Sequence, residues 1–191
     1  MTEPVAPRVE LLGPKDARTA AARAAVPEAM AELSVFRVLL RHEALAARVY
    51  GLLQQLLWEG CLDVRLRELI IMRIGWVQRS DYEWTQHWRV ARLLGIPEED
   101  LIAVRDWSAS DRFSAADRAV LAATDETLRD GAISATTWGR IQEEITDEPA
   151  RIEVVIAIAN WSMFAQLLRS LEIPLEDGVD SWPPDGLPPH A

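Results

Sequence analysis

The sequence predicts an all-α fold, and three observations support this class. Apolar residues recur at the spacing of a buried helix face through most of residues 28–171. No segment alternates apolar and polar residues for long enough to predict a strand. Proline residues are concentrated at the two ends of the chain, and the two prolines between them, Pro97 and Pro149, stand near the first positions of predicted helices, where proline is favoured.

The predicted elements begin with a proline-containing arm, residues 1–27, which includes a short alanine-rich helix over 15–25. Apolar periodicity then predicts helices over residues 28–40, 43–58, 63–77, 81–94, 97–108, 115–130, 135–144 and 150–171. Ser114 with Asp117 marks one helix start, because a hydroxyl oxygen and a carboxylate satisfy amide groups of the first turn. Prolines from 174 onward predict an extended tail. The chain is thus organised as an arm (1–27), one helical domain (28–173) and a tail (174–191).

Size and charge limit the classes of function. The chain has 191 residues, 49% of them hydrophobic, which is enough for one well-packed domain. Its net charge of −10 argues against nucleic acid as a partner, because phosphate contacts need clustered Lys and Arg. The sequence shows no signal-peptide pattern and no run of 18 apolar residues, so we expect a cytoplasmic protein with no membrane partner. A single cysteine, Cys61, excludes an intramolecular disulfide.

The helix predicted over 63–77 places a carboxylate among apolar residues. On a helical wheel Glu68 shares a face with Val64, Ile71, Met72 and Gly75, and a second face of this helix is also apolar. Burial of a carboxylate is costly, so its pKa should be raised or it should have a specific partner. The alternative is a structural ion pair with an arginine, such as Arg65 at i−3.

Glu83 and His87 are four residues apart on the next predicted helix, close enough for a hydrogen bond. A carboxylate beside an imidazole fixes its tautomer and raises its basicity, which suits a general base. Ser80 and Glu83 also have the spacing of a capping box, so a structural role for Glu83 remains open. No third ligand is near in the sequence, and we expect neither a metal nor a cofactor.

Tryptophan is frequent around these residues, and the chain has 8 in total. Several indoles around one cavity would favour a flat, apolar or aromatic ligand, although packing between helices is the commoner reason for any single tryptophan. We predict that Trp84, Tyr82 and Arg65 bind the substrate. Arg65 could receive a substrate carboxylate or serve as the counter-ion of a glutamate.

The pattern Arg65-x-Arg67-Glu68, followed by Tyr82-Glu83-Trp84-x-x-His87, resembles the core of the carboxymuconolactone decarboxylase family, which includes the AhpD-type alkylhydroperoxidases. The resemblance covers about residues 28–178. It implies an AhpD-like helical bundle of antiparallel helix hairpins that assembles into a trimer or hexamer, with the site near subunit contacts. It also implies a proton relay from Glu68 to His87.

One departure from the family separates its branches. The peroxidase branch has Cys-x-x-Cys before the histidine, and Ser80 and Glu83 occupy those positions here. A serine cannot supply the thiolate that reduces a peroxide, and a glutamate cannot resolve a sulfenic acid. We therefore expect a cofactor-independent lyase, with Glu68, His87 and Glu83 as catalytic residues, acting on a carbonyl or lactone compound by decarboxylation, isomerisation or ring opening. The alternatives are an AhpD-like peroxidase or its descendant, and a non-catalytic oligomer that binds a hydrophobic ligand.

Overall fold

The computed structural model describes residues 6–189, and within this range the chain is helical with no strand. Its α-helices are α1 (Pro14–Ala24), α2 (Ser34–Leu39), α3 (Glu43–Gln54), α4 (Val64–Val77), α5 (Asp81–Leu93), α6 (Glu98–Ala103), α7 (Ala115–Asp130), α8 (Ala135–Glu144) and α9 (Glu148–Leu171). Shorter 3₁₀-helices occupy Glu28–Glu32, Leu40–His42 and Val104–Ala109, and a π-helical turn occupies Gln55–Glu59. The predicted all-α class is confirmed.

The chain divides into two compact units. The first consists of the described residues up to Glu59 together with Leu167–Val179, and the second of Gly60–Gln166 together with the described residues from Asp180. These limits differ from those of the predicted arm, domain and tail, and that division stays a prediction. The first five residues of the arm and the last two of the tail lie outside the described residues.

In the first unit, α1 is the predicted alanine-rich helix, and three of its alanines, at 17, 20 and 21, are buried. The helix predicted over 28–40 is broken instead at Leu33, which is extended with φ −78° and ψ 131°. The amide of Ser34 donates to the Glu176 carboxylate at 2.7 Å, so a residue distant in sequence supplies the cap of α2. The periodicity of 28–40 could not reveal this interruption.

In the second unit, α4 and α5 form a close helical hairpin. Leu69, Ile70 and Met72 of α4 are fully buried, as expected for a helix with two apolar faces. The hairpin is tight at Gly75, where a Cβ atom would lie 2.9 Å from the backbone nitrogen of Trp84. No larger residue fits there without a backbone shift, so Gly75 sets the distance at which the two helices carry their functional side chains.

Helix α7 packs beside α4 and begins as the sequence predicts. The Ser114 hydroxyl accepts from the amide of Asp117, and the Asp117 carboxylate accepts from the amide of Ser114, which completes a capping box. The Asp117 carboxylate also binds Arg65 of α4. The cap therefore joins the start of α7 to α4.

The segment predicted to be an extended tail is instead packed against the helices of the second unit over residues 180–189. Trp182 is only 8% exposed, and its amide donates to the side chains of Asp81 and Thr85 at the start of α5. Arg105 forms a two-bond ion pair with Asp185. The prediction of a non-helical segment is correct, but that of an extended tail is wrong, because burial of an indole and these polar contacts hold the chain against the helices.

Helix α9 is the one described helix that is long and apolar enough to cross a membrane by length and composition. Val154, Ile158 and Trp161 on one side of it are buried in the second unit. Its other side carries exposed apolar residues within the same unit, namely Ile152, Val155, Ile156 and Met163. The buried side is typical of the core helix of a globular unit, which satisfies the same composition test.

Candidate active site

Glu68 lies on α4 with no exposed surface and has two ionic contacts. Its Oε1 accepts from Nε of Arg67 at 3.0 Å, and its Oε2 lies 2.8 Å from Nδ1 of His87. Burial alone would raise the pKa of this carboxyl, but His87 and Arg67 outweigh it and hold the pKa of Glu68 below its ordinary value. The sequence prediction that Glu68 has a raised pKa or a specific partner is therefore met by two partners.

His87 projects from α5 and uses both ring nitrogens. Nδ1 faces the Glu68 carboxylate, while Nε2 accepts from the indole N–H of Trp161 at 3.2 Å. Because the ionised carboxylate only accepts and the indole only donates, the matching tautomer has its proton on Nδ1 and a lone pair on Nε2. Burial opposes the imidazolium form, but Glu68 and Glu83 together raise the pKa of His87.

Glu83 stands on the other side of the imidazole from Glu68. Its Oε2 is 3.7 Å from Nε2 of His87, and the residue is 5% exposed. Burial raises the pKa of Glu83 to about 7, with a further increase from the charge of Glu68 and an opposing effect of His87. Glu83 thus exchanges a proton near neutral pH, which is the property required of a general acid.

The capping box that the spacing of Ser80 and Glu83 left open does not form. The Ser80 side chain makes no capping hydrogen bond, and its Oγ is buried without a hydrogen-bond partner. The Glu83 side chain turns toward His87 instead of back to the helix start. The geometry also changes which carboxylate is suited to orient the ring of His87. Glu68, and not Glu83, is in short contact with it.

The three residues predicted to bind substrate are buried or paired within the protein. Trp84 is fully buried, and its indole N–H donates to the Pro183 carbonyl at 2.7 Å. Tyr82 is 6% exposed on α5. The Arg65 guanidinium binds Asp117 and Asp100, and Glu68 is paired with Arg67 instead. A role for Trp84, Tyr82 and Arg65 in substrate binding stays a prediction.

Two residues of the site were not predicted from the sequence. Arg67 is the direct neighbour of Glu68, and consecutive helix residues do not normally face each other. Trp161 comes from α9, 74 residues beyond His87. A signal for Trp161 exists in the sequence, because polar Asn160 and Ser162 flank it within the otherwise apolar stretch 154–165.

The described contacts amount to an acid, a base and a fixed anion in one buried row. Arg67, Glu68, His87 and Glu83, here termed the proton chain, follow one another at distances of 3.0, 2.8 and 3.7 Å. Within residues 6–189, no three His, Cys, Asp or Glu side chains are arranged to hold a metal ion. The proton chain can accept a proton at Nε2, stabilise the resulting imidazolium through Glu68, and donate a proton from Glu83.

Part of the chain matches the pattern of a known protein family. Residues 43–126 match the pattern of the Carboxymuconolactone decarboxylase family, a shorter range than the resemblance in the sequence suggested. No curated protein matches the chain.

Solved structures with a similar fold cover most of the chain. A peroxidase-related protein with an alkylhydroperoxidase AhpD core, from Ralstonia eutropha JMP134, has a TM-score of 0.74 at 13% identity and covers 96% of this chain and 98% of its own. A peroxidase-related protein from Silicibacter sp. TM1040 has a TM-score of 0.68 at 13% identity, covering 93% and 95%.

The debrominase Bmp8 in complex with 2,3,4-tribromopyrrole has a TM-score of 0.70 at 16% identity, covering 88% of this chain and 91% of its own. At these identities the likeness establishes the fold, which is AhpD-like as predicted. The matched segment 43–126 contains the whole proton chain. In that segment the chain is similar to the Carboxymuconolactone decarboxylase family.

Proposed function

We propose that this protein is a cofactor-independent acid/base enzyme, a lyase of the carboxymuconolactone decarboxylase type, that acts on a carbonyl or lactone compound. The observation that carries the proposal is the buried contact of His87 with Glu68 on one nitrogen and its approach to Glu83 on the other. A buried acid beside a buried base serves decarboxylation, isomerisation and ring opening alike.

The same groups support each of these reactions. Nε2 of His87 takes a proton from the substrate, and the imidazolium that forms is stabilised by Glu68 across the 2.8 Å contact. His87 and, to a smaller extent, Arg67 lower the pKa of Glu68 and so keep its carboxyl group ionised. In decarboxylation the bond to the carboxylate breaks, carbon dioxide leaves, and the carbanion receives a proton. Glu83 is the proton donor that the geometry favours, because its pKa of about 7 leaves it partly protonated at neutral pH.

The residues at the thiol positions weigh against the peroxidase alternative. Ser80 and Glu83 stand there, and neither performs thiol chemistry. Cys61 is exposed at the loop before α4, where its amide donates to the Glu153 carboxylate. We expect no peroxide turnover with a dithiol reductant, and no effect of Cys61→Ser on activity.

Two features favour a flat, apolar or aromatic substrate. The indole of Trp161 contacts His87 at the nitrogen where substrate would react. The structurally similar debrominase Bmp8 is known in complex with a brominated pyrrole, a planar ring. A planar ring is the kind of ligand that such aromatic surroundings favour.

We further propose that the protein is a cytoplasmic homo-oligomer, a trimer or hexamer. The exposed apolar side of α9 supports self-association, because Ile152, Val155, Ile156 and Met163 are 57%, 42%, 41% and 45% exposed. Light scattering at micromolar concentration tests this, and a mass near 21.4 kDa would contradict it.

The function is tested by turnover of a panel of lactones, keto acids and aromatic carbonyl compounds, preselected by quenching of tryptophan fluorescence. His87→Asn should lower turnover about 10²-fold or more, the usual contribution of a general base. Glu83→Gln should have a smaller effect, since water can replace a proton donor more easily than an oriented base.

Circular dichroism and light scattering must show that both variants keep the fold and assembly. If both stay active, or lose activity only through unfolding, the site is structural. The protein would then fit better as an oligomer that binds a hydrophobic ligand.

A further inference from the structure

Trp161 is a buried indole, 2% exposed, in direct contact with the imidazole of His87. Its N–H donates to Nε2 at 3.2 Å, and the two rings meet edge to face at 89° with centroids 5.8 Å apart. An indole N–H donates and does not accept. This contact therefore requires Nε2 to carry a lone pair.

An ionised Glu83 favours the opposite state of the same nitrogen, with a proton bound to it. Its Oε2 lies 3.7 Å from Nε2, and an ionised Glu83 would be satisfied by a proton on that nitrogen. Glu83 and His87 can thus share one proton in two arrangements. Either Glu83 is neutral and His87 is a free base, or Glu83 is ionised and His87 is an imidazolium.

We propose that Trp161 is a positioning residue that keeps the shared proton on Glu83 and so keeps His87 available as a base. If Nε2 were protonated, its N–H and the indole N–H of Trp161 would face each other as two donors. With the proton on Glu83, the indole donates to Nε2 and Nδ1 donates to Glu68. Each contact then pairs one donor with one acceptor. The indole thus sets the starting protonation state of the site.

The two carboxylates beside His87 oppose the effect that the contact with Trp161 has on the protonation of the imidazole. Glu68 from α4 and Glu83 from α5 favour the imidazolium, and Arg67 from α4 disfavours it. Trp161 from α9 has no charge and acts through its N–H alone. Removal of that N–H should therefore allow the two carboxylates to draw the proton onto His87.

This inference rests on the proposed function, because an unprotonated Nε2 matters for catalysis only if His87 takes a proton from the substrate. A histidine that is already protonated cannot do so. The contact with Trp161 explains how His87 can remain unprotonated between two carboxylates. It also explains why the acid at neutral pH is Glu83.

The test is nitrogen NMR of the full chain labelled in histidine, comparing the unaltered protein with Trp161→Phe at neutral pH. The chain has three histidines, so His87 is identified by the signal that His87→Asn lacks. In the unaltered protein we expect an unprotonated Nε2 and a protonated Nδ1. In Trp161→Phe, which keeps a ring but loses the donor, we expect both nitrogens to be protonated.

Trp88→Phe is the matched control, because Trp88 is a buried indole of α5 that packs against Trp84. It should leave the His87 signals unchanged. An imidazolium in the unaltered protein, or an unprotonated Nε2 in Trp161→Phe, would overturn the proposal. The spectrum of the unaltered protein decides between the two states even if Trp161→Phe does not fold.

The rate of turnover supplies an independent measurement. In Trp161→Phe the low-pH limb of the pH–rate profile should move up by about one unit, the size expected for one lost hydrogen bond. The NMR result does not depend on turnover. If the spectra are as expected but no carbonyl compound is turned over, only the proposed function is contradicted. If a compound is turned over but Trp161→Phe has the same spectrum as the unaltered protein, only the role of Trp161 is contradicted.

Discussion

The buried face of α5 has two flanks that differ in chemistry. On one flank Glu83 and His87 belong to the proton chain, where charged groups are held in a row. On the other flank Trp84 and Trp88 belong to a group of four indoles, with Trp76 and Trp182, termed here the tryptophan cluster. Both flanks are buried, but burial of indoles stabilises the fold, whereas burial of charges costs free energy that pairing only partly offsets.

The tryptophan cluster also contacts a cation. The Arg105 guanidinium lies 4.6 Å from the ring centroid of Trp76 and 5.0 Å from that of Trp84, and it is paired with Asp185. The contacts of the proton chain join charged or polar groups, and apolar side chains cannot replace them. We therefore expect substitutions in the tryptophan cluster to reduce stability at every pH, and those in the proton chain to have effects that depend on charge and pH.

The largest effect should follow from Trp84→Ala. Trp84 is fully buried and contacts three other indoles, so its removal leaves a cavity and should lower the free energy of unfolding by about 3–5 kcal/mol. Denaturant unfolding measures this. Trp58→Ala is the control, because Trp58 is 59% exposed and should change stability far less. Equal losses in the two variants would mean that the tryptophan cluster is not a stabilising core.

Glu68→Gln should come next, with a loss of about 3 kcal/mol at neutral pH. The substitution neutralises the one carboxylate that contacts both Arg67 and His87, and removing one member of a buried ion pair is strongly destabilising. The double variant Arg67→Met with Glu68→Gln removes both charges and should recover part of the loss. If the double variant is less stable than Glu68→Gln, the pair does not act as a unit.

A smaller effect, which depends on pH, is expected for Glu83→Gln. The pKa of Glu83 in the folded protein is about 7, above its ordinary value of 4.5, so the folded state binds more protons than the unfolded state between these values. Stability contributed by this group falls as pH rises through that window. Relative to the unaltered protein, Glu83→Gln should therefore gain on the order of 2 kcal/mol from pH 4.5 to pH 8. Unfolding curves at both pH values measure it, and a constant difference would contradict the raised pKa.

The smallest effect is expected where the C-terminal segment contacts the tryptophan cluster. Arg105 and the Leu187 amide hold the pKa of Asp185 at about 2, below its ordinary value of 3.8. Such a carboxylate stabilises the fold above pH 3.8 and loses that contribution as pH falls through about 2. Because Asp185 is 37% exposed, Asp185→Asn should cost less than about 1 kcal/mol at neutral pH. A loss as large as that of Trp84→Ala would show that the ion pair, and not the indoles, secures this segment.

The sequence by itself determined the fold class and the local elements. Helical periodicity predicted α4, α5 and α9. The helix start marked by Ser114 and Asp117 was correct because a cap depends on residues three apart. Burial of Glu68 followed from the apolar residues that share its face. The i, i+4 spacing of Glu83 and His87 brought that pair within 3.7 Å. All of these interactions lie within one helix or its first turn.

The tertiary structure decided which groups complete the site. The contact of His87 with Glu68 joins two helices, and its contact with Trp161 joins residues 74 positions apart. Ser80 and Glu83 had the spacing of a capping box, yet a carboxyl that can approach His87 forms no cap. The tail was predicted to be extended, and burial of Trp182 places it against α5. Local spacing fixes which side chains share a helix face, but only the packing of distant segments determines which partner each buried polar group obtains.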